Sequence, residues 1–246
     1  MRTRFTRGLS AALVVSSLAL SAAACGGDDK KDDAKKDGAD KPAVSASAST
    51  APEAAAPAKP MTDVQAKAAV LELKDLPSGG WKARKADAGK SVYKADKAVC
   101  QPVAEAMNAS FTGSTKGPGA EFFIGKNTSE LSQQLMTFSG TGAADFTKKL
   151  AAAVDACADF SVETEGQKVK AGAKKVTAPQ GAEEAIAFTF SMELAPGFKL
   201  EPTMLVVRQG ADIFRLMHLA DDAAAKKDFD ALAKTATDKF VKAAQG

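Results

Sequence analysis

A single histidine, His218, stands among 246 residues, and it bounds the chemistry the chain can perform. It excludes a site built from several histidines and leaves one candidate base for a nucleophilic triad. No Gly-x-Ser-x-Gly accompanies it, and beside Phe214 and Leu216 on its own strand face it reads as a packed side chain. Ser91-Val92-Tyr93-Lys94 matches Ser-x-x-Lys, the nucleophile pattern of penicillin-recognising enzymes, in which the lysine sits one helical turn on to deprotonate the serine. Its Ser-Asp-Asn and Lys-Thr-Gly companions are missing and Ser91 opens no long apolar helix, so the pattern lacks a working context. Gly117-Pro118-Gly119 lacks the third glycine and the preceding strand of a phosphate loop and reads as a turn. Carboxylates are plentiful, with no spacing that singles out an acid/base pair. Met192, Met204 and Met217 fall among aliphatic and aromatic strand residues, where they read as core. The expectation is a protein with no catalytic residue, no metal ligand and no cofactor.

Cys25 has a more readable chemistry. Arg2, Arg4 and Arg7 form a positive start, Ala11 to Leu20 (AALVVSSLAL) an apolar run of secretory-signal length, and Ser21-Ala22-Ala23-Ala24 a small-residue stretch before Cys25-Gly26. This arrangement resembles a bacterial lipobox, which implies cleavage before Cys25 and a diacylglycerol on its thiol. With an acylated N-terminus as well, several chains enter the bilayer and the anchor is stable. The other reading is an ordinary Ala-x-Ala signal cut at the same bond, leaving a secreted protein with a free N-terminal Cys25. The apolar run is too short to span a membrane, which takes about 20 residues. Asn127-Thr128-Ser129 fits the glycosylation acceptor pattern but carries little weight beside a bacterial lipobox.

Charge excludes one partner class. The formal net charge is +3, and all of it comes from Arg2, Arg4 and Arg7. Without them the 33 basic residues fall to parity with the 30 acidic ones, interspersed along the chain, so no basic field for nucleic acid remains. Residues 26–60, rich in Asp, Lys, Ala, Pro and Ser, hold too few large apolar groups to form a core. They read as a tether with a root-mean-square reach of roughly 30 Å. The organisation expected is a signal peptide over 1–24, a lipidated cysteine and disordered tether over 25–60, and one domain over 61–246, long enough to bury about 70 per cent of its unfolded surface.

The elements of that domain follow from periodicity. Thr62 to Leu73 shows Val64, Ala68 and Leu71 at helical spacing after the candidate caps Thr62 and Asp63, and Asp75-Leu76-Pro77-Ser78-Gly79-Gly80 breaks it. Asp96 to Ala109 reads as a second helix carrying Cys100, and Glu121 to Gly125 and Leu131 to Phe138 as short strands. Ala143 to Ala156 reads as a helix presenting Phe146, Leu150 and Val154 and ending near Cys157, followed by a weaker hairpin around Gly166. From about 184 to 220 the pattern is a three-stranded meander: Ile186, Phe188, Phe190, Met192 and Leu194 alternate with small or polar residues, then Thr203 to Gln209 and Ile213 to Leu219 follow across turns. A last helix, Asp222 to Ala244, places Phe229, Leu232, Ala233, Ala236 and Phe240 on one stripe. Element order argues an α+β fold, an antiparallel sheet packed by helices.

Two cysteines remain once Cys25 is acylated, and an even pair in an oxidising compartment predicts a Cys100–Cys157 disulfide, the alternative being two buried free thiols. Trp81 and Tyr93 are the only tryptophan and tyrosine and both fall between the first two helices, outside the periodic faces. Either they present rigid aromatic area to a ligand, or Trp81 caps the core after Gly79-Gly80.

DLPSGGWK over residues 75–82, a cysteine on the next helix, a helix ending at Cys157 and the late LVVRQGADIFRL hairpin before a terminal helix resemble the extracellular sensor domain of mycobacterial H-type serine/threonine kinase receptors and the actinobacterial lipoproteins that carry it alone. The resemblance spans about residues 65–244. It implies a sensor-like domain that binds an unidentified extracellular ligand in a cleft. The receptor domain is stapled by two disulfides, whereas this chain offers one pair. The functional expectation is a membrane-anchored extracytoplasmic lipoprotein with a ligand-binding or sensory domain, partnered by the membrane and by a small-molecule or envelope ligand. A carrier of lipids or other apolar molecules is the alternative.

Overall fold

Ten strands form one antiparallel sheet in the order β1-β3-β4-β10-β9-β7-β6-β5-β2, with β8 on β7. The computed structural model describes residues 59–85, 91–125, 129–220 and 227–246. The signal segment, Cys25, the tether up to residue 58, and Asn127 and Thr128 of the acceptor pattern lie outside the described residues.

The strands are β1 (Lys82–Arg84), β2 (Lys94–Ala95), β3 (Ser114–Ile124), β4 (Ser129–Phe138), β5 (Phe160–Thr164), β6 (Gln167–Val176), β7 (Glu184–Ala195), β8 (Phe198–Leu200), β9 (Thr203–Gln209) and β10 (Asp212–Ala220). Four α-helices cover the sheet among the described residues: α1 (Asp63–Ala68), α2 (Gln101–Glu105), α3 (Gly142–Ala156) and α4 (Phe229–Gln245). Helices α2 and α3 share a buried cluster with Phe188, Phe190, Met192, Met204, Val206 and Ile213 on one face of the sheet. Residues 69–71 after α1, together with α4, pack on the other face against Leu131, Leu205, Phe214 and Leu216. The α+β reading fits, with much more sheet than the meander alone.

The meander occupies the centre: β7 pairs with β9 and β9 with β10. Its alternation is the reason. Phe188, Phe190 and Met192 all face α3, and each is at most 1% exposed, worth about 1.5–3 kcal/mol of burial per large side chain. After Gly197, at φ +78°, the chain first returns as β8 along β7 and only then enters β9. On α4 the stripe Phe229, Leu232, Ala233, Ala236 and Phe240 is buried; the expected helix start at 222–226 lies outside the described residues.

Two expected helices are shorter than their patterns. Instead of running from Thr62 to Leu73, α1 stops at Ala68, capped at its start by Thr62 and Gln65. Val64 is 77% exposed while Ala69, Val70 and Leu71 are buried. Gln133 of β4 accepts from the Leu71 amide at 2.7 Å and donates to the Ala69 carbonyl at 3.3 Å, so a sheet side chain takes the bonds a longer helix would have made. The expected helix from Asp96 to Ala109 is a 3₁₀ turn, Ala98–Cys100, followed by the five residues of α2. Pro102 sits in its first turn, where the missing N–H is harmless but extension backwards is not.

Gly117-Pro118-Gly119 is not a turn. It lies inside β3, where the register against β4 shifts between Lys116 and Gly119. The bulge explains the composition: a proline donates nothing to a ladder, and a bulge is where a strand tolerates it. The Gln134 side-chain amide donates to the Gly117 and Pro118 carbonyls at 2.8 and 3.2 Å. A Cβ at position 119 would lie 2.7 Å from the Gln133 carbonyl oxygen. The strands expected at 121–125 and 131–138 are therefore one long hairpin.

Cys100 and Cys157 are bonded, with Cα atoms 5.7 Å apart, so the bridge ties the entry to α2 to the end of α3. Phe111, beyond α2, stacks on Phe146 of α3 at 4.2 Å between ring centroids. These two contacts hold residues 100–111 over the sheet.

Candidate functional site

Beneath that segment lies a cavity of about 210 Å³. Strand alternation builds its floor. In β10, Phe214, Leu216 and His218 point to the α4 side, which turns Ile213, Arg215 and Met217 toward α2 and α3. Arg215 is paired with Gln134, Met217 with Ser132, and Ser132 with Glu121, so these side chains form adjoining rows on one surface. Arg215, Ser132 and Gln134 are buried, Tyr93, Glu121 and Glu130 half-buried, and Arg84 and Lys116 exposed at the rim.

Arg215 is the unusual member. It is 8% exposed, and its Nη1 donates to main-chain oxygens, the carbonyls of Ala106 at 3.2 Å and of Asn108. These are carbonyls at the end of α2, where a cation is favoured. Its Nε has no hydrogen-bond partner among the described residues, and neither does Ser132 Oγ. Burial pushes the guanidinium down to about 10 against a small opposing pull from Glu121. A buried donor left unmade costs about 1–3 kcal/mol, more when charged; both atoms belong to residues of the cavity lining but are themselves closed to solvent.

The carboxylates nearby are committed elsewhere. Arg84 of β1 forks onto both oxygens of Glu130, at 3.2 and 3.1 Å, and its Nε reaches Glu121 at 3.1 Å. Glu130 and Glu121 together hold the Arg84 guanidinium above its ordinary range, against burial. The fork joins the edge strand β1 to β4 across β3, and the pair stays at the rim.

Tyr93 lines the cavity just before β2, held by its amide donating to Asn108 Oδ1 at 2.8 Å. Burial, then the charge of Glu165, pushes its phenol above the ordinary value. Trp81 is on the other face. It packs half-buried into the α4-side core, its ring 6.4 Å from His218, so the structure does not bring the two aromatics together. His218 is 2% exposed, bonded through Nε2 to Ser129 Oγ at 2.9 Å and stacked on Phe229 at 6.3 Å. It sits in the core, away from any serine that could serve as a nucleophile in the cavity.

Ser91 and Lys94 lie on an extended segment entering β2, where residues three apart point to opposite sides. Ser91 Oγ donates to Glu165 at 2.8 Å. Met192 and Met204 are core, while Met217 lines the cavity. Arg215, Ser132, Gln134 and the Arg84–Glu130 fork were not among the sequence candidates. One signal was present: Ile213, Phe214, Leu216 and Met217 are apolar on both strand faces, so the arginine between them had to be buried.

Compared with solved structures, the chain is similar to the crystal structure of the extracellular domain of PknH from Mycobacterium tuberculosis, with a TM-score of 0.52 over 76% of this chain and 98% of that one and 16% identical residues. No protein-family model matches the chain and no curated protein matches it. At that identity the likeness is one of fold alone.

Proposed function

We propose that the protein is a lipid-anchored extracytoplasmic domain that binds a small molecule from the cell envelope in the cavity over Arg215, acting as a ligand-binding or sensory module without chemistry of its own. Residues 1–24 are the signal, Cys25 and the segment to residue 60 the anchor and tether, and residues 61–246 the binding domain. The anchor rests on the residues around Cys25, and the extracytoplasmic setting is supported by the fold shared with an extracellular domain. The observation that carries the binding reading is the recess itself, about 210 Å³ lined by Tyr93, Met107, Ser132, Gln134 and Arg215 with the Arg84–Glu130 fork at its rim.

The alternative, a carrier of lipids or other apolar molecules, requires room between sheet and helices. Leu150, Phe188 and Phe190 fill the middle of that layer under α3, and the space of about 620 Å³ beside Val154, Val176 and Ile186 is an open groove at its edge, not an enclosed chamber, so the binding reading is preferred. Small molecules released on denaturation from natively purified wild-type protein and from Ser132→Leu, which fills the cavity floor, test the proposal. Mass spectrometry is expected to find a compound near one equivalent with the wild type and little with a variant that melts normally. Equal release from both overturns the assignment of the cavity.

A further inference from the structure

The ligand-binding reading leaves the chemical class of ligand open, and the charges that face the recess narrow it. We propose, resting on that reading, that the recess takes a small molecule carrying both signs of charge, its ammonium at Glu121 and Glu130 and its carboxylate at Lys116.

These groups are open to solvent. The side chains of Glu121 and Glu130 are 13% and 23% exposed and that of Arg84 40%, and Lys116 is exposed at the mouth. Arg84 is forked onto Glu130 and bonded through Nε to Glu121, so one cation answers two carboxylates and the cluster holds one negative charge in excess. Lys116 makes no ion pair among the described residues. Arg215 lies beneath, 8% exposed and bonded to neutral carbonyls; its field reaches Glu121, which leaves Glu130 the stronger acceptor for an ammonium. A simple anion would suit Lys116 and face two carboxylates, and a simple cation would suit the carboxylates and leave Lys116 unanswered. A molecule with both charges is complementary to each end.

Spacing and size set its length. Lys116 and Glu121 both stand on β3, either side of the bulge, opposite Met136 and Ser132 of β4. At ~3.3 Å per residue, less the bulge and the inward reach of two long side chains, the opposite charges lie on the order of 10 Å apart. Between them the wall includes Tyr93, Met107, Ala109 and Met217, where an aromatic ring and flexible thioethers accommodate a short apolar body. A recess of about 210 Å³ is below the ~300–1,000 Å³ of sites for drug-sized ligands. A short ω-amino acid or a small dipeptide meets both limits.

The test uses full-length protein titrated with 6-aminohexanoate, hexanoate and hexylammonium. Calorimetry reads each dissociation constant, and the methyl resonance of Met217 reports whether binding is in the recess. 6-Aminohexanoate is expected to bind saturably and to shift Met217. Hexanoate should bind at least tenfold more weakly, because it offers the carboxylates no charged donor. Hexylammonium should bind about threefold more weakly, the smaller loss because a pair with exposed Lys116 is screened by water. Lys116→Met removes an exposed, unpaired side chain, so it melts near wild type; it should weaken 6-aminohexanoate about threefold and leave hexylammonium no weaker. Glu130→Gln should weaken 6-aminohexanoate severalfold and leave hexanoate no weaker; should that variant fail to fold, Lys116→Met and the two analogues decide. Either analogue binding as tightly as 6-aminohexanoate, or Lys116→Met binding 6-aminohexanoate undiminished, overturns the two-charge assignment and leaves the recess as a site for another class. Silence of Met217 with all three probes overturns it too, and with equal release from wild type and Ser132→Leu the cavity reading falls as well.

Discussion

The indole of Trp81 lies 6.4 Å from the imidazole of His218, centroid to centroid, on the face of the sheet opposite the cavity that Tyr93 lines. The contact makes Trp81 a lid on the α4-side core. Trp81→Ala is accordingly expected to cost about 2 kcal/mol, less than the ~3–5 for a fully buried aromatic, without changing ligand retention. Urea unfolding measures the first and mass spectrometry of the released ligand the second.

His218 makes that core sensitive to pH. Burial depresses its proton affinity below the ordinary value of 6.5, with Asp228 opposing. The unfolded chain then binds the proton more readily than the folded one, so stability falls as pH drops below 6.5 and the loss levels off beneath the depressed folded-state value. Denaturant midpoints between pH 7.5 and 5 should fall for the wild type and flatten over this range in His218→Gln. A midpoint that rises as the pH is lowered would contradict the burial argument.

The meander, the α4 stripe and the α3 face were legible because Phe188, Phe190, Phe146 and Phe240 recur at the period of the element that buries them. The ends of α1 and α2 were not, since a side chain from a distant strand, Gln133 or Arg215, takes their backbone bonds. Gly117-Pro118-Gly119 has the composition of a turn, and only the pairing of β3 with β4 reveals a bulge. The site was missed because its members come from β3, β4 and β10 and meet through register, which no local pattern encodes.

That bulge yields a ranking of two substitutions. At Gly119 a Cβ would meet the Gln133 carbonyl oxygen at 2.7 Å and Gln134 Oε1 at 2.8 Å, whereas at Gly117 the nearest atom is Leu135 Cβ at 3.2 Å. Gly119→Ala should therefore destabilise by about 1–3 kcal/mol and more than Gly117→Ala in parallel thermal melts. Equal melting of the two would remove the steric explanation.

The disulfide closes a separation of 57 residues, for which the chain-entropy model gives roughly 4 kcal/mol of stabilisation. Paired replacement Cys100→Ala/Cys157→Ala should lower the unfolding free energy by about 2–4 kcal/mol. Thiol counting on denatured, unreduced wild-type protein should find neither cysteine reactive; two reactive groups at these positions would contradict the bridge.

Lipid attachment at Cys25 is tested separately from the fold. Metabolic labelling with an alkyne fatty acid should tag the wild type and miss Cys25→Ser, and the variant should leave the membrane fraction. Equal labelling of both proteins would place the anchor elsewhere.

The most direct measurement of the central claim is an amide chemical-shift map of the protein titrated with the low-molecular-weight fraction of its own cell envelope. Binding in the cavity predicts saturable shifts clustered at Tyr93, Ser132, Gln134 and Arg215, with the Trp81, His218 and Phe229 resonances unmoved. Shifts confined to the Trp81 side, or a spectrum unchanged by every fraction, would contradict it.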